Sequence, residues 1–115
     1  MTLITIKKRF EFTRFNKFSK KFHTSNLIIQ KLEKNTIDKV PHFGFTIPKK
    51  IGSAIVRNKI KRRLKSIIRE LLKYKDKYFD LSFNYILICK KEIVKVSYDD
   101  LENELMDKFK SNRVS

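Results

Sequence analysis

The spacing of apolar and polar positions changes several times along the chain, and each period predicts an element. From Lys7 to Lys17 the residues are charged and aromatic and predict a short basic helix. Ile6 and Phe10, four apart, share one face, while Phe12 and Phe15, three apart, fall roughly opposite. One helix rarely buries two opposite faces in so small a chain, so either the core wraps it or one aromatic pair stays accessible. Asn26 to Leu32 is a β-prone run, followed by a polar stretch, Glu33 to Lys39, that reads as a turn. His42 to Ile47 alternates, with Phe43, Phe45 and Ile47 on one face and His42, Gly44 and Thr46 on the other. That pattern predicts a half-buried strand ended by Pro48, forming an antiparallel hairpin with the preceding run.

The longest periodic segment follows Gly52-Ser53, with Ser53 as the expected N-cap. Val56, Ile60, Leu64, Ile67, Ile68, Leu71 and Leu72 recur at helical spacing and make a wide apolar stripe. Asn84 to Cys89 is continuously apolar after its first residue, which suggests a strand buried on both faces. Ser97 caps a last helix with Tyr98, Leu101, Leu105 and Phe109 facing inward and acids in its first turns, where the helix dipole favours them. The order α-β-β-α-β-α, with its strand-helix-strand segment, implies one parallel pairing and an α+β class: a mixed α/β sandwich of helices on a small mixed β-sheet. With 115 residues, two Gly and two Pro, the chain leaves no room for a flexible linker, and residues 1–115 are expected to form one domain.

Charge sharpens the picture. Lys and Arg number 28 against 12 Asp and Glu, a formal net charge of +16. A small domain so charged repels itself unless it meets a polyanion. Nucleic acid is the usual one, because each phosphate contact releases a condensed counterion; an anionic membrane surface is the second candidate. Hydrophobic residues at 41% separate the chain from disordered basic tails. The single Cys89 excludes an internal disulfide and suits a reducing cytoplasm. No apolar run approaches the roughly 20 residues that span a bilayer.

The basic residues concentrate between Lys49 and Lys73, against one acid, Glu70. At about 100° per residue, Asn58, Arg62, Lys65 and Arg69 line one face away from the apolar stripe, flanked by Lys59 and Arg63. An ordinary solvated face intersperses both signs; a face of one sign reads better as a rigid ridge for phosphates, with Asn58 adding a directional hydrogen bond.

The run Lys49-Lys50-Ile51-Gly52-Ser53-Ala54-Ile55-Val56-Arg57-Asn58-Lys59-Ile60-Lys61-Arg62 resembles the signature of the bacterial ribonuclease P protein component. That signature is a basic pair, a small-residue turn, Ala, two apolar residues and then Arg-Asn-Arg-x-Lys-Arg. The likeness extends to Glu11-Phe12, to Phe43-Gly44-Phe45 and to the apolar strand at 85–89, and so spans most of the chain. Lys59 stands where the second Arg is usual, which turns a bidentate contact into a point charge. Asn16 stands where the first helix usually has an aromatic residue, and the usual Gly after that helix is absent.

The resemblance implies an accessory subunit of an RNA enzyme that removes the 5′ leader of precursor tRNA, acting in the bacterial cytoplasm. It implies a β-α-β crossover of left-handed sense, which pattern alone would not suggest. Arg57, Asn58, Lys59, Lys61, Arg62 and Lys65 would contact the catalytic RNA. Phe12 and Phe15, with Lys49 and Lys50, would receive the single-stranded leader, since every base offers a π-face to an aromatic side chain. Mg²⁺ would be held mainly by RNA.

The residues themselves suggest no protein active site. His23 and His42 stand in no ligand spacing, Cys89 sits in an apolar run, and no Gly-rich phosphate loop is present. No small-molecule substrate and no bound metal are therefore expected. Alternatives are a structural ribosomal-type RNA-binding protein, which would not require an accessible aromatic face; a DNA-binding protein, which would predict affinity for duplex DNA; and, most weakly, a membrane-surface protein.

Overall fold

In a computed structural model, residues 3–5, 20–33 and 40–112 are described. The expected first helix, with Phe12 and Phe15, and most of the expected turn at 33–39 lie outside them. Five strands form one mixed sheet: β1 (Ile4–Thr5), β2 (Lys20–His23), β3 (Leu27–Glu33), β4 (His42–Thr46) and β5 (Phe83–Cys89), in the order β1-β4-β5-β3-β2. Between β4 and β5 run a 3₁₀ turn at Lys49–Ile51, the long helix α1 (Ala54–Leu72) and the single-turn α2 (Lys75–Tyr78). A second 3₁₀ turn, Lys91–Lys95, leads to α3 (Tyr98–Ser111).

The predicted hairpin between β3 and β4 does not form. β5 lies between them, antiparallel to β3 from Leu27↔Cys89 to Glu33↔Phe83 and parallel to β4 from Phe43↔Tyr85 to Thr46↔Ile88. The reason is burial: the apolar run at 84–89 has two faces to cover and takes a central place. The hairpin partner of β3 is instead β2, whose Lys20 and Lys21 hid it from a hydrophobic pattern. Mostly exposed and charged, β2 resists further pairing at the sheet edge. Its turn is set by Thr24, whose Oγ accepts from the backbone N–H of Asn26 and Leu27 at 3.2 and 3.0 Å and donates to the Leu27 carbonyl at 3.1 Å.

Alternation divides the sheet into two faces. Leu27, Ile29, Phe43, Tyr85, Leu87 and Cys89 enter the main core with Ile60, Leu64, Ile67 and Ile68 of α1 and Leu101, Leu105 and Phe109 of α3. Each apolar side chain so buried contributes about 1.5–3 kcal/mol. Phe43, Phe79, Tyr85 and Phe109 meet with ring centroids 4.9–5.7 Å apart, mostly edge to face. The opposite face carries Leu32, Ile86 and Ile88 as a smaller cluster.

Both capping serines act as the sequence suggests. Ser53 Oγ accepts from Val56 N–H at 3.3 Å and Ser97 Oγ from Asp100 N–H at 3.2 Å. Such caps are worth about 1 kcal/mol each. A hydrogen bond of 2.8 Å between Ser66 Oγ and the Tyr98 hydroxyl ties α1 to α3.

Candidate nucleic-acid interface

α1 is an amphipathic rod of 19 residues, about 28 Å long at 1.5 Å per residue. Ile60, Leu64, Ile67, Ile68, Leu71 and Leu72 are buried, and Val56 packs against the same core. That back fixes the roll of the helix and so decides which cations face outward. Asn58, Lys59, Lys61, Arg62 and Arg69 are exposed; Arg57, Arg63 and Lys65 are half-buried. The Asn58–Arg62–Lys65–Arg69 line therefore runs along the surface away from the sheet. Glu70, its one acid, is ion-paired with Lys73 at 3.0 Å.

The start of the helix is braced. Lys49 and Lys50, both exposed, sit in the 3₁₀ turn just before it, with Ile51 N–H donating to the Pro48 carbonyl at 3.0 Å. Arg57 Nε donates to the Gly52 carbonyl at 3.2 Å, so this arginine locks the turn as well as carrying charge. A Cβ on Gly52 would come within 3.2 Å of Val56 Cγ1, which explains a glycine at this close approach. Lys49, Lys50 and the polar residues of the first turns are thus held on one rigid unit. Such preorganisation lowers the cost of ordering side chains against a phosphate backbone.

Ile55 is missing from the expected interface, yet it is 82% exposed among these cations. The signal was there in the spacing: it lies off the apolar stripe, one position before Val56. Phe12 and Phe15 lie outside the described residues. The sheet face opposite α1 mixes apolar Leu32, Ile86 and Ile88 with Gln30, which is 4% exposed. There the backbone N–H of His42 donates to Asn84 Oδ1 at 2.9 Å.

Among the described residues, no three His, Cys, Asp or Glu side chains gather as metal ligands. His23 is an exposed edge-strand residue. Cys89 is 3% exposed, and burial pushes its thiol from the ordinary 9.0 up to about 12, far from a nucleophilic thiolate at neutral pH. No described helix is long and apolar enough to cross a membrane.

A basic helix packed on a mixed sheet agrees with what comparison finds. Residues 2–112 match the family described as Ribonuclease P. A ribonuclease P protein component of Bacillus mycoides (strain KBAB4) is 35% identical over 107 residues, covering 91% of this chain and 87% of that relative. One from Geobacter sp. (strain M21) is 34% identical over 103 residues, covering 89% and 82%. The RNase P protein of Staphylococcus aureus has a similar structure, with a TM-score of 0.79 at 26% identity over 98% of both chains. The RNase P protein of Thermotoga maritima shares the fold at a TM-score of 0.78 and 19% identity, covering 93% of this chain and 96% of the other. The chain belongs to the Ribonuclease P protein family.

Proposed function

We propose that this chain uses the outward face of α1 to bind the catalytic RNA of a bacterial, cytoplasmic ribonuclease P, and assists removal of the 5′ leader from precursor tRNA. Family membership makes it the protein subunit of an endoribonuclease. The observation that carries the finer reading is the single-sign ridge of α1, clamped by its apolar back. Arg62, Lys61 and Lys59 meet RNA phosphates; Asn58 adds a directional bond to a base or sugar; Arg57 and Lys65 contribute at the margin of the same face. Lys49 and Lys50, one turn ahead of the ridge, attract the leader phosphates, and Phe12 and Phe15 offer π-faces to its bases.

In this reading the protein screens the repulsion between two RNAs and holds the leader, while the RNA carries the chemistry. That chemistry is hydrolysis of a phosphodiester, leaving a 5′-phosphate on the tRNA and a 3′-hydroxyl on the leader. Mg²⁺, when bound, would supply charge neutralisation. RNA and substrate phosphates would be its main oxygen donors.

The test is cleavage of a 5′-extended precursor tRNA at low Mg²⁺ by a ribonuclease P RNA, with and without the protein. Correct 5′ cleavage should be rescued by a protein that is inactive alone. Phe12→Ala should weaken binding of precursor but not of mature tRNA. No rescue of the cognate RNA by folded protein would overturn the reading and favour a structural RNA-binding role.

A further inference from the structure

The basic ridge does not stop where α1 stops. Lys73 follows Arg69 on the same side at helical spacing, and the chain then turns through Tyr74 into α2. Leu72, Lys73, Tyr74, Lys75, Asp76 and Lys77 line an open hollow of about 600 Å³ at this end. That is within the roughly 300–1,000 Å³ of sites that take small ligands.

Tyr74 is the unusual residue. Tyr78 and Tyr85 are 5% and 1% exposed, and Tyr98 is hydrogen-bonded to Ser66, whereas Tyr74 is 62% exposed and has no ring partner among the described residues. Its position is not slack. Its backbone N–H donates to the Leu71 carbonyl at 3.0 Å, and its carbonyl accepts from Lys77 N–H at 2.9 Å. The backbone is pinned while the ring is turned outward between lysines. Lys75 makes no ion pair among the described residues, and Lys77 Nζ lies 5.5 Å from the centre of the Tyr78 ring. An aromatic face flanked by ammonium groups in a concavity is the arrangement that takes an unpaired nucleotide: the base stacks and the neighbouring phosphates meet the cations.

We propose that this hollow is a second RNA contact, in which an unpaired nucleotide of the bound RNA stacks on Tyr74 with its flanking phosphates at Lys75 and Lys77. It rests on the reading of α1 as an RNA-facing ridge and extends that ridge by one turn. A duplex would suit the hollow poorly, because its bases are already stacked.

The experiment uses the full chain and a ribonuclease P RNA, measuring affinity across a salt series for wild type, Tyr74→Ala, Tyr74→Phe and Lys75→Ala/Lys77→Ala. Tyr74→Ala should weaken binding about ten-fold, a scale set by single-base stacking. Tyr74→Phe should bind as wild type, and the double lysine variant should lower the salt dependence. Ultraviolet crosslinking of wild-type protein should join Tyr74 to an unpaired base. Wild-type affinity in Tyr74→Ala, or crosslinks that avoid Tyr74, would overturn the proposal, as would an occupant other than RNA. Because cleavage of precursor tRNA is measured alongside for every variant, such a failure would leave the subunit reading standing.

Discussion

Lys31 has no exposed side-chain surface, because it projects from β3 into the helix-covered side of the sheet. Its ammonium lies 3.3 Å from Asp80 Oδ2, 3.4 Å from the Asn112 carbonyl at the end of α3, and 4.4 Å from the centre of the Phe83 ring. A buried charge is tolerated when its partners are in place and is costly when one is removed. Asp80→Asn keeps the side-chain oxygen that accepts from Ser82 N–H at 3.1 Å but removes the carboxylate charge beside the ammonium. It should cost on the order of 3 kcal/mol in urea unfolding, and adding Lys31→Met should restore most of that. A loss below about 1 kcal/mol would mean that the other contacts suffice to hold the ammonium. Cys89 gives a prediction of opposite chemistry. Its folded-state pKa is raised by burial, so the protonated thiol is favoured in the fold and stability is kept below the unfolded value of 9.0. As pH climbs through 9 towards 12, the unfolded chain ionises first and that stability is lost. Urea unfolding of wild type and Cys89→Ala at about pH 8 and about pH 10 should show wild type losing more; parallel losses would exclude the linkage.

At the scale of elements, α1 carries two tasks on two faces, and each needs the other. The buried stripe from Val56 to Leu72 fixes the helix roll, and the roll decides that Lys61 and Arg62 point to solvent. Replacing those two exposed cations should leave thermal stability nearly unchanged, since neither contributes to the core. It should flatten the dependence of RNA affinity on salt, because each phosphate contact contributes roughly 0.7–0.9 to the logarithmic slope. For Lys61→Ala/Arg62→Ala the slope should fall by about 1.5 in an RNA-binding titration. An unchanged slope would remove this stretch of α1 from the interface. The brace at its start, with Ser53 capping and Arg57 holding the Gly52 carbonyl, keeps Lys49 and Lys50 in fixed register with the ridge.

At the scale of the whole molecule, the two faces of the sheet divide the work. One is sealed by α1 and α3 through the aromatic cluster of Phe43, Phe79, Tyr85 and Phe109. Sequence by itself determined the elements whose signals are local: the apolar stripe of α1, the caps at Ser53 and Ser97, the alternation of β4 and the doubly apolar β5. It also determined the long motif from Lys49 to Arg62, because residue type and spacing along one helix are enough to place cations on one side. Tertiary structure alone decided the rest. Strand neighbours depend on which runs must be buried on both faces, so β5 displaced the expected hairpin and left β3 to pair with a lysine-bearing β2. Burial of Lys31 and exposure of Ile55 and Tyr74 run against residue type. They follow from what other segments bring near each side chain: Asp80 and the end of α3 for Lys31, and a turn that faces away from the core for Tyr74. Local pattern encodes which way a helix or strand would prefer to face, whereas the partner that meets that face comes from sequence-distant residues.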